Sequence, residues 1–173
     1  MTIEALLSDK SKKSKEKTET ISKWLLDGSM ATDELIVFAE KSKDSEKATC
    51  IEAIEYATKQ NSTIADENVF SFVTQMLTEK APRVKWESAK VIGNTAHLFP
   101  TKLNAAIENL LTNSEYDGTV VRWASAFALG EILKLKTKHN NDLFPAIEAI
   151  CHREQDNGIK KKYFDAIKKT NKK

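Results

Sequence analysis

A segment of this chain repeats itself. The stretch "RVKWESAKVIGNTA", which begins at Arg83, aligns on "VVRWASAFALGEIL", which begins at Val120. Val84 falls on Val121, Lys85 on Arg122, Trp86 on Trp123, Ser88 on Ser125, Ile92 on Leu129 and Gly93 on Gly130, at an offset of 37. A further step of 38 places Val121 on Ile159, Arg122 on Lys160, Ala128 on Ala166 and Leu129 on Ile167. Upstream by 38, Lys85 falls on Lys47, Val91 on Ala53 and Ile92 on Ile54, while Val84 meets Glu46. A period of this length marks stacked supersecondary units, none of which can bury its apolar face alone.

Between these segments runs a second pattern. Leu35, Phe38 and Ala39 begin it. Val69, Phe72, Val73, Met76 and Leu77 continue it, followed by Leu103, Ala106, Ile107, Leu110 and Leu111, and then by Leu143, Ala146, Ile147 and Ile150. Spacing of three and four residues is that of one buried helical stripe. Thr63 with Asp66 reads as a capping box, and Pro82 and Pro100 suit first turns, where a missing N–H costs nothing. The spacing predicts helix pairs over 32–42 with 45–60, 64–79 with 82–98, 101–113 with 119–137, and 142–153 with 157–170. Another helix near 15–27, apolar at Ile21, Trp24 and Leu25, covers the first pair. The expected architecture is all-α: a right-handed α-α superhelix of about four hairpins plus an N-terminal capping helix. The expected division is a Lys/Ser-rich segment with the capping helix over 1–29, then a repeat domain over 30–173, with repeats near 30–61, 62–99, 100–139 and 140–173.

Charge is unevenly spread along the 173 residues. Residues 158–173 hold seven lysines and one acid, for +6, whereas residues 31–157 hold 14 basic and 19 acidic residues, for −5. Such asymmetry marks either a solvated terminal cap or a polyanion-binding end. No apolar run is long enough to span a bilayer, so no membrane association is expected. Cys50 and Cys151 stand alone, with neither bridge nor metal spacing, and read as buried, reduced thiols of a cytoplasmic protein. No hydrolase triad, phosphate loop, metal cluster or carboxylate pair stands out. Neither a catalytic residue nor a cofactor nor a metal is expected, and a small-molecule ligand is not expected either.

The stretch "DGTVVRWASAFALGEI" resembles the second helix of a HEAT repeat: an acid in the turn, then V-R, small residues, then A-L-G. The resemblance extends over about 82–135. It implies that the turn acid and the basic residue form a ladder between repeats, here Asp117 with Arg122. Lys85, Lys47 and Lys160 are the equivalent bases; Asp44, Asp156 and, in the second copy, Glu79 are candidate acids. It also implies that second helices line the concave side. The family binds proteins and nucleic acids, and related short repeats accompany pigment-attachment enzymes.

At about 100° per residue from Val121, Ser125, Ala128, Leu129 and Ile132 form one seam, while Trp123, Phe127, Gly130 and Lys134 fall on the opposite face. Trp86, Lys90, Gly93 and His97 do so in the second copy. Ala48, Glu52, Glu55 and Lys59 do so in the first, and Lys161, Asp165, Lys168 and Lys172 in the fourth. With helix axes roughly 8–10 Å apart, Trp86 and Trp123 are expected as neighbours in the groove, with Gly93 and Gly130 leaving room beside the rings. The expected groove residues are Trp86, Lys90, His97, Trp123, Phe127, Lys134, Glu52 and Lys161; Tyr163 and Phe164 are expected to cap the core. Two functions compete. The first is a non-catalytic module that holds a protein or peptide on Trp86, Trp123 and Phe127. The second is nucleic-acid binding, since the chain is similar to HEAT-like DNA-alkylation-repair glycosylases in its two groove tryptophans. It departs from them at Lys90 and Phe127, where an acid is expected. The bland alternative is that the rings only tighten the stack.

Overall fold

Ten α-helices account for most of residues 1–172, which the computed structural model describes: α1 (Ile3–Ser8), α2 (Ser14–Asp27), α3 (Thr32–Lys41), α4 (Asp44–Gln60), α5 (Glu67–Met76), α6 (Pro82–Thr95), α7 (Asn104–Asn113), α8 (Thr119–Lys134), α9 (Asn140–Arg153) and α10 (Asn157–Asn171). Single 3-10 turns at Ser62–Ile64 and Ala96–Leu98 complete the inventory. The chain is an α-solenoid. The even-numbered helices from α2 to α10 form one row, each packed along its successor, and the odd-numbered helices form the other. Successive even-numbered helices stay close along much of their length, whereas α3, α5 and α7 touch over a few residues only. The even-numbered row is therefore the shorter, inner arc.

Local chemistry sets the helix ends. The side chain of Asp66 accepts from the Val69 N–H at 2.9 Å and that of Asp156 from the Ile159 N–H at 2.9 Å, which satisfies donors the first turn leaves free. Pro82 occupies the first turn of α6. Gly28 ends α2 in the left-handed region at φ 78°, where a side chain would be strained. Thr63, expected in a capping box, lies instead in the 3-10 turn, and Asp66 is the cap. Pro100 belongs to the turn before α7 rather than to its first turn, because the 3-10 turn at 96–98 uses up the intervening chain. The short α1 was not expected from the sequence; Thr2 caps it and Ile3 and Leu6 are buried.

The core runs continuously from Ile3 to Ala166. Helix α8 is buried nearly all round, with Val121, Ala124, Ser125, Ala126, Ala128, Leu129, Gly130, Ile132 and Leu133 inside. Small side chains there let α6 and α10 approach on both flanks. A Cβ on Gly130 would stand 3.0 Å from the Ala166 Cβ, so Gly130 serves helix contact rather than groove space. Tyr163 is buried as expected, but Phe164 is 55% exposed.

The ladder between repeats differs from the expected one. Arg122 takes only the backbone carbonyl of Asp117, at 2.7 Å, and that of Tyr116, at 2.9 Å. Its carboxylate partner is Glu154 of the next repeat, at 3.0 Å. Lys85 likewise donates to the Leu77 carbonyl at 2.9 Å and reaches Asn113 of the next repeat at 3.1 Å. Lys47 faces Glu79 of the next repeat at 4.0 Å. The physical reason is the helix end. The Leu77 carbonyl at the end of α5 and the Tyr116 and Asp117 carbonyls in the turn after α7 point at the base that starts the next helix, and a cation satisfies them. That base then has donors left for a residue at the C-terminal end of the following first helix. Asp44 lies in the first turn of α4, and Asp156 is spent on capping.

Candidate functional site

The inner arc exposes one narrow stripe on each second helix. On α4 it carries Glu52 and Tyr56; on α6, Arg83, Trp86, Lys90 and Asn94; on α8, Trp123, Phe127, Glu131 and Lys134; on α10, Lys162, Asp165 and Lys169. The two tryptophans occupy equivalent positions one repeat apart, yet they do not stack on each other. The Trp86 indole N–H donates to Glu87 at 2.8 Å, and its ring packs half-buried against the core. Trp123 is 38% exposed and stacks on Phe127, with centroids 6.2 Å apart and planes 17° apart.

Phe127 interlocks two helices. A Cβ on Gly93 would stand 2.3 Å from Phe127 Cε1, so the missing side chain on α6 is the seat of that ring. From the other side, the Lys162 ammonium lies 4.6 Å from the Trp123 centroid and 5.8 Å from that of Phe127. Beside Trp123 a hollow of about 280 Å³ opens, lined by Thr119, Val120, Trp123, Asp156 and Ile159. It is largely apolar and half of Val120 is exposed next to it. Such a patch with a charged edge has the chemistry to seat an apolar side chain.

The other end of the arc is ionic. Arg83 pairs with Glu52 at 2.7 Å and Lys90 with Glu87 at 3.2 Å and Glu55 at 3.6 Å. Thr18 adds a hydrogen bond to Glu52 at 2.8 Å, which ties α2 to α4. Glu55 and Glu87 are each only 4% exposed, so Glu55 faces the α4–α6 contact rather than the open stripe on which it was expected; Ala48 too is buried. Burial pushes the Glu87 carboxyl up and Glu52 adds to this, against the pull of Lys90 and the indole N–H. Burial alone would lower Lys90, but Glu87 and Glu55 outweigh it and hold its ammonium above the usual range.

Of the other expected residues, Lys134 pairs with Glu131 one turn away. His97 lies past the end of α6, in the 3-10 turn, exposed and 3.3 Å from Ser62 Oγ. Lys161 pairs with Asp165 at 2.7 Å on its own helix. The ammonium over the rings belongs to Lys162, a residue the repeat alignment passes over because it sets Lys161 opposite Trp123. The helix interior holds a clue: Ala166, four residues on, touches Gly130, which puts the 162–166 side of α10 against α8. Both cysteines are free and buried, and burial pushes the Cys50 thiol up to about 12. Among the described residues no helix is long and apolar enough to cross a membrane, and no group of three or more His, Cys, Asp or Glu has metal-ligand proximity.

No protein-family model matches the chain, and no curated protein matches it. Solved structures do. A designed armadillo repeat protein in complex with the peptide (KR)4 superposes with a TM-score of 0.77 at 16% identity, over 98% of this chain and 80% of that one. The complex of CpcE and CpcF of phycocyanin lyase from Nostoc sp. PCC7120 gives 0.74 at 18% identity, over 95% and 97%. Computationally designed armadillo repeat proteins for modular peptide recognition give 0.74 at 15% identity, over 98% and 81%. At such identities the likeness carries the fold alone, and by its fold the chain is an armadillo- or HEAT-like helical-repeat solenoid.

Proposed function

We propose that the protein is a non-catalytic interaction module whose inner arc holds an extended peptide or a segment of a partner protein. One observation carries this reading: Trp123, 38% exposed, lies stacked on Phe127 beside an apolar hollow on the inner face. A large ring left in water on the concave side of a rigid stack is the usual anchor of a recognition surface. Trp86 contributes the edge of its ring one repeat away, and Lys90 and Lys134, both paired internally, shape the walls. The repeat stack from residue 30 to 173 is the binding unit, and residues 1–29 close its N-terminal end. Designed armadillo proteins of this fold recognise peptides, and the two phycocyanin lyase chains form a complex, which supports a polypeptide ligand.

The test is a display library of random twelve-residue peptides panned on the wild type and on a Trp123→Ala/Phe127→Ala variant of unchanged circular dichroism. Peptides retained by the wild type and lost by the variant are expected. Equal retention by both proteins ends the reading.

The competing reading is nucleic acid, bound in the manner of HEAT-like alkylation-repair glycosylases. The observation in its favour is a carboxylate, Glu87, hydrogen-bonded to a groove indole. That carboxylate is buried and paired with Lys90, out of reach of a base in the groove. Binding of short DNA that falls steeply with salt would revive it.

A further inference from the structure

The stripes of the inner arc are unequally neutralised. At the α4–α6 end every carboxylate already has a cation: Glu52 has Arg83, and Glu55 and Glu87 share Lys90. A basic segment laid there finds no carboxylate to take up. At the α8–α10 end, the ion pairs among the described residues are Lys134 with Glu131 and Lys161 with Asp165. Lys162 and Lys169 take part in neither. Both edge a hollow of about 120 Å³ next to Phe127 and Gly130, on the same stripe of α10. Lys162 lies over the Trp123 and Phe127 rings. A cation over an aromatic face in a half-exposed site is a weak contact, comparable to an exposed ion pair, so a carboxylate that arrives at this end competes with the rings for Lys162.

We propose that the segment bound by the inner arc is acidic and apolar: it presents a carboxylate to Lys162 and Lys169 and an adjacent aliphatic or aromatic side chain to Trp123 and Phe127. This rests on the peptide reading above and adds the chemistry of the ligand and its orientation, with the acidic part toward α10. Nucleic acid would share the attraction to the lysines. A phosphate chain, however, needs a basic track along its length, and on the α4–α6 stripe the cations Arg83 and Lys90 are already held by Glu52, Glu55 and Glu87.

The experiment is a selection of random twelve-residue displayed peptides on the wild type and on Lys162→Glu/Lys169→Glu, followed by titration of the enriched synthetic peptide. The wild type is expected to enrich Asp or Glu next to Leu, Ile, Phe or Trp. The charge-reversed protein is expected to enrich Lys or Arg in their place and to bind the wild-type peptide at least about tenfold more weakly, a difference of about 1.4 kcal/mol. Lys162→Gln is expected to fall between the two. Lys168→Glu/Lys172→Glu reverses as many charges beside the stripe and is expected to change affinity less than about twofold. Equal weakening by that control overturns the proposal, because general charge would then explain it. Enrichment of basic peptides that still need Trp123 also overturns it while leaving the peptide reading standing. No enrichment over Trp123→Ala/Phe127→Ala defeats both. Tighter binding of a fifteen-residue oligodeoxythymidylate than of any enriched peptide overturns it in favour of nucleic acid.

Discussion

The second and third repeats place a tryptophan at the same position and surround it differently. After Trp86 come Glu87 and, one turn on, Lys90; after Trp123 come Ala124 and, one turn on, Phe127. In the second repeat the indole N–H is taken by a buried carboxylate whose charge Lys90 holds in place, so the ring is part of the wall. In the third repeat the nearby acid, Asp156, is spent on capping α10, the ring stacks on Phe127, and its outer face is left to water and to Lys162. One backbone position thus serves stability in one repeat and exposure in the next, and the residues one and four places further on decide which. The bases that begin these helices differ in the same sense: Lys85 reaches the neutral Asn113, and Arg122 grips the carboxylate of Glu154.

The contrast is broken most forcefully at Lys90. Lys90→Ala leaves Glu55 and Glu87 buried without a cation and is expected to cost about 3 kcal/mol in urea unfolding at neutral pH. Lys90 is raised in the folded state, so its contribution is complete below the ordinary lysine range and fades as pH rises through its folded pKa. Glu87 is raised too, and its ionisation above the usual carboxylate range works against folding. The variant should therefore regain stability on acidification from pH 7 to about pH 5, as the stranded Glu87 carboxyl takes up a proton. A pH-independent loss would mean that the network does not carry the charge assigned to it.

Next come the rings themselves. Trp86→Ala is expected to cost about 2 kcal/mol, through lost packing and the lost hydrogen bond to Glu87, whereas Trp123→Ala costs less than about 1 kcal/mol. Equal melting shifts for the two variants would erase the distinction between wall and anchor.

A smaller difference separates the ladder positions. Arg122→Ala is expected to exceed Lys85→Ala by about 1 kcal/mol, because it strands a carboxylate rather than an amide. Burial opposes the charge of Glu154, but hydrogen bonds from Arg122 and from the N–H groups of Asp156 and Gln155 outweigh it and hold its pKa below the usual range. Its contribution is present above the unfolded carboxylate pKa and is lost as pH falls through the folded value, so the Arg122 excess should vanish in acid. A double-mutant cycle should couple Arg122 to Glu154 and leave Asp117→Ala uncoupled. The smallest net effect is expected from Gly93→Ala, where about 1 kcal/mol of helix propensity offsets much of the overpacking that lifts Phe127 from its seat and changes Trp123 fluorescence.

Much of this was legible in the residues. The period of 37 or 38 and the two apolar stripes located eight of the ten helices to within a few residues and paired them, and the apolar Ile21, Trp24 and Leu25 marked α2. Helix α1 escaped because six residues give too little periodicity to register. The groove was legible in part. The helical wheel brought out Trp123 and Phe127, but a wheel assigns one buried face, and a helix flanked on both sides by its own kind buries nearly its whole surface. Glu55, Ala48 and Gly130 therefore fell on the wrong side of that division. The ladder acid was misplaced for a related reason: Asp117 is nearest in sequence, whereas Glu154 is nearest across the stack.

The sequence by itself determined the stacking of hairpins, because periodic burial and helix caps act over a few residues and leave their pattern in the chain. Only the tertiary structure decided which charge meets which ring: Lys162 over Trp123, Phe127 in the space that Gly93 leaves, Lys90 between two glutamates of adjoining helices. Those contacts join residues from separate repeats, and they depend on how far each helix is shifted and rotated against its neighbour. A difference of one residue in that register exchanges Lys161 for Lys162, and no local propensity records it.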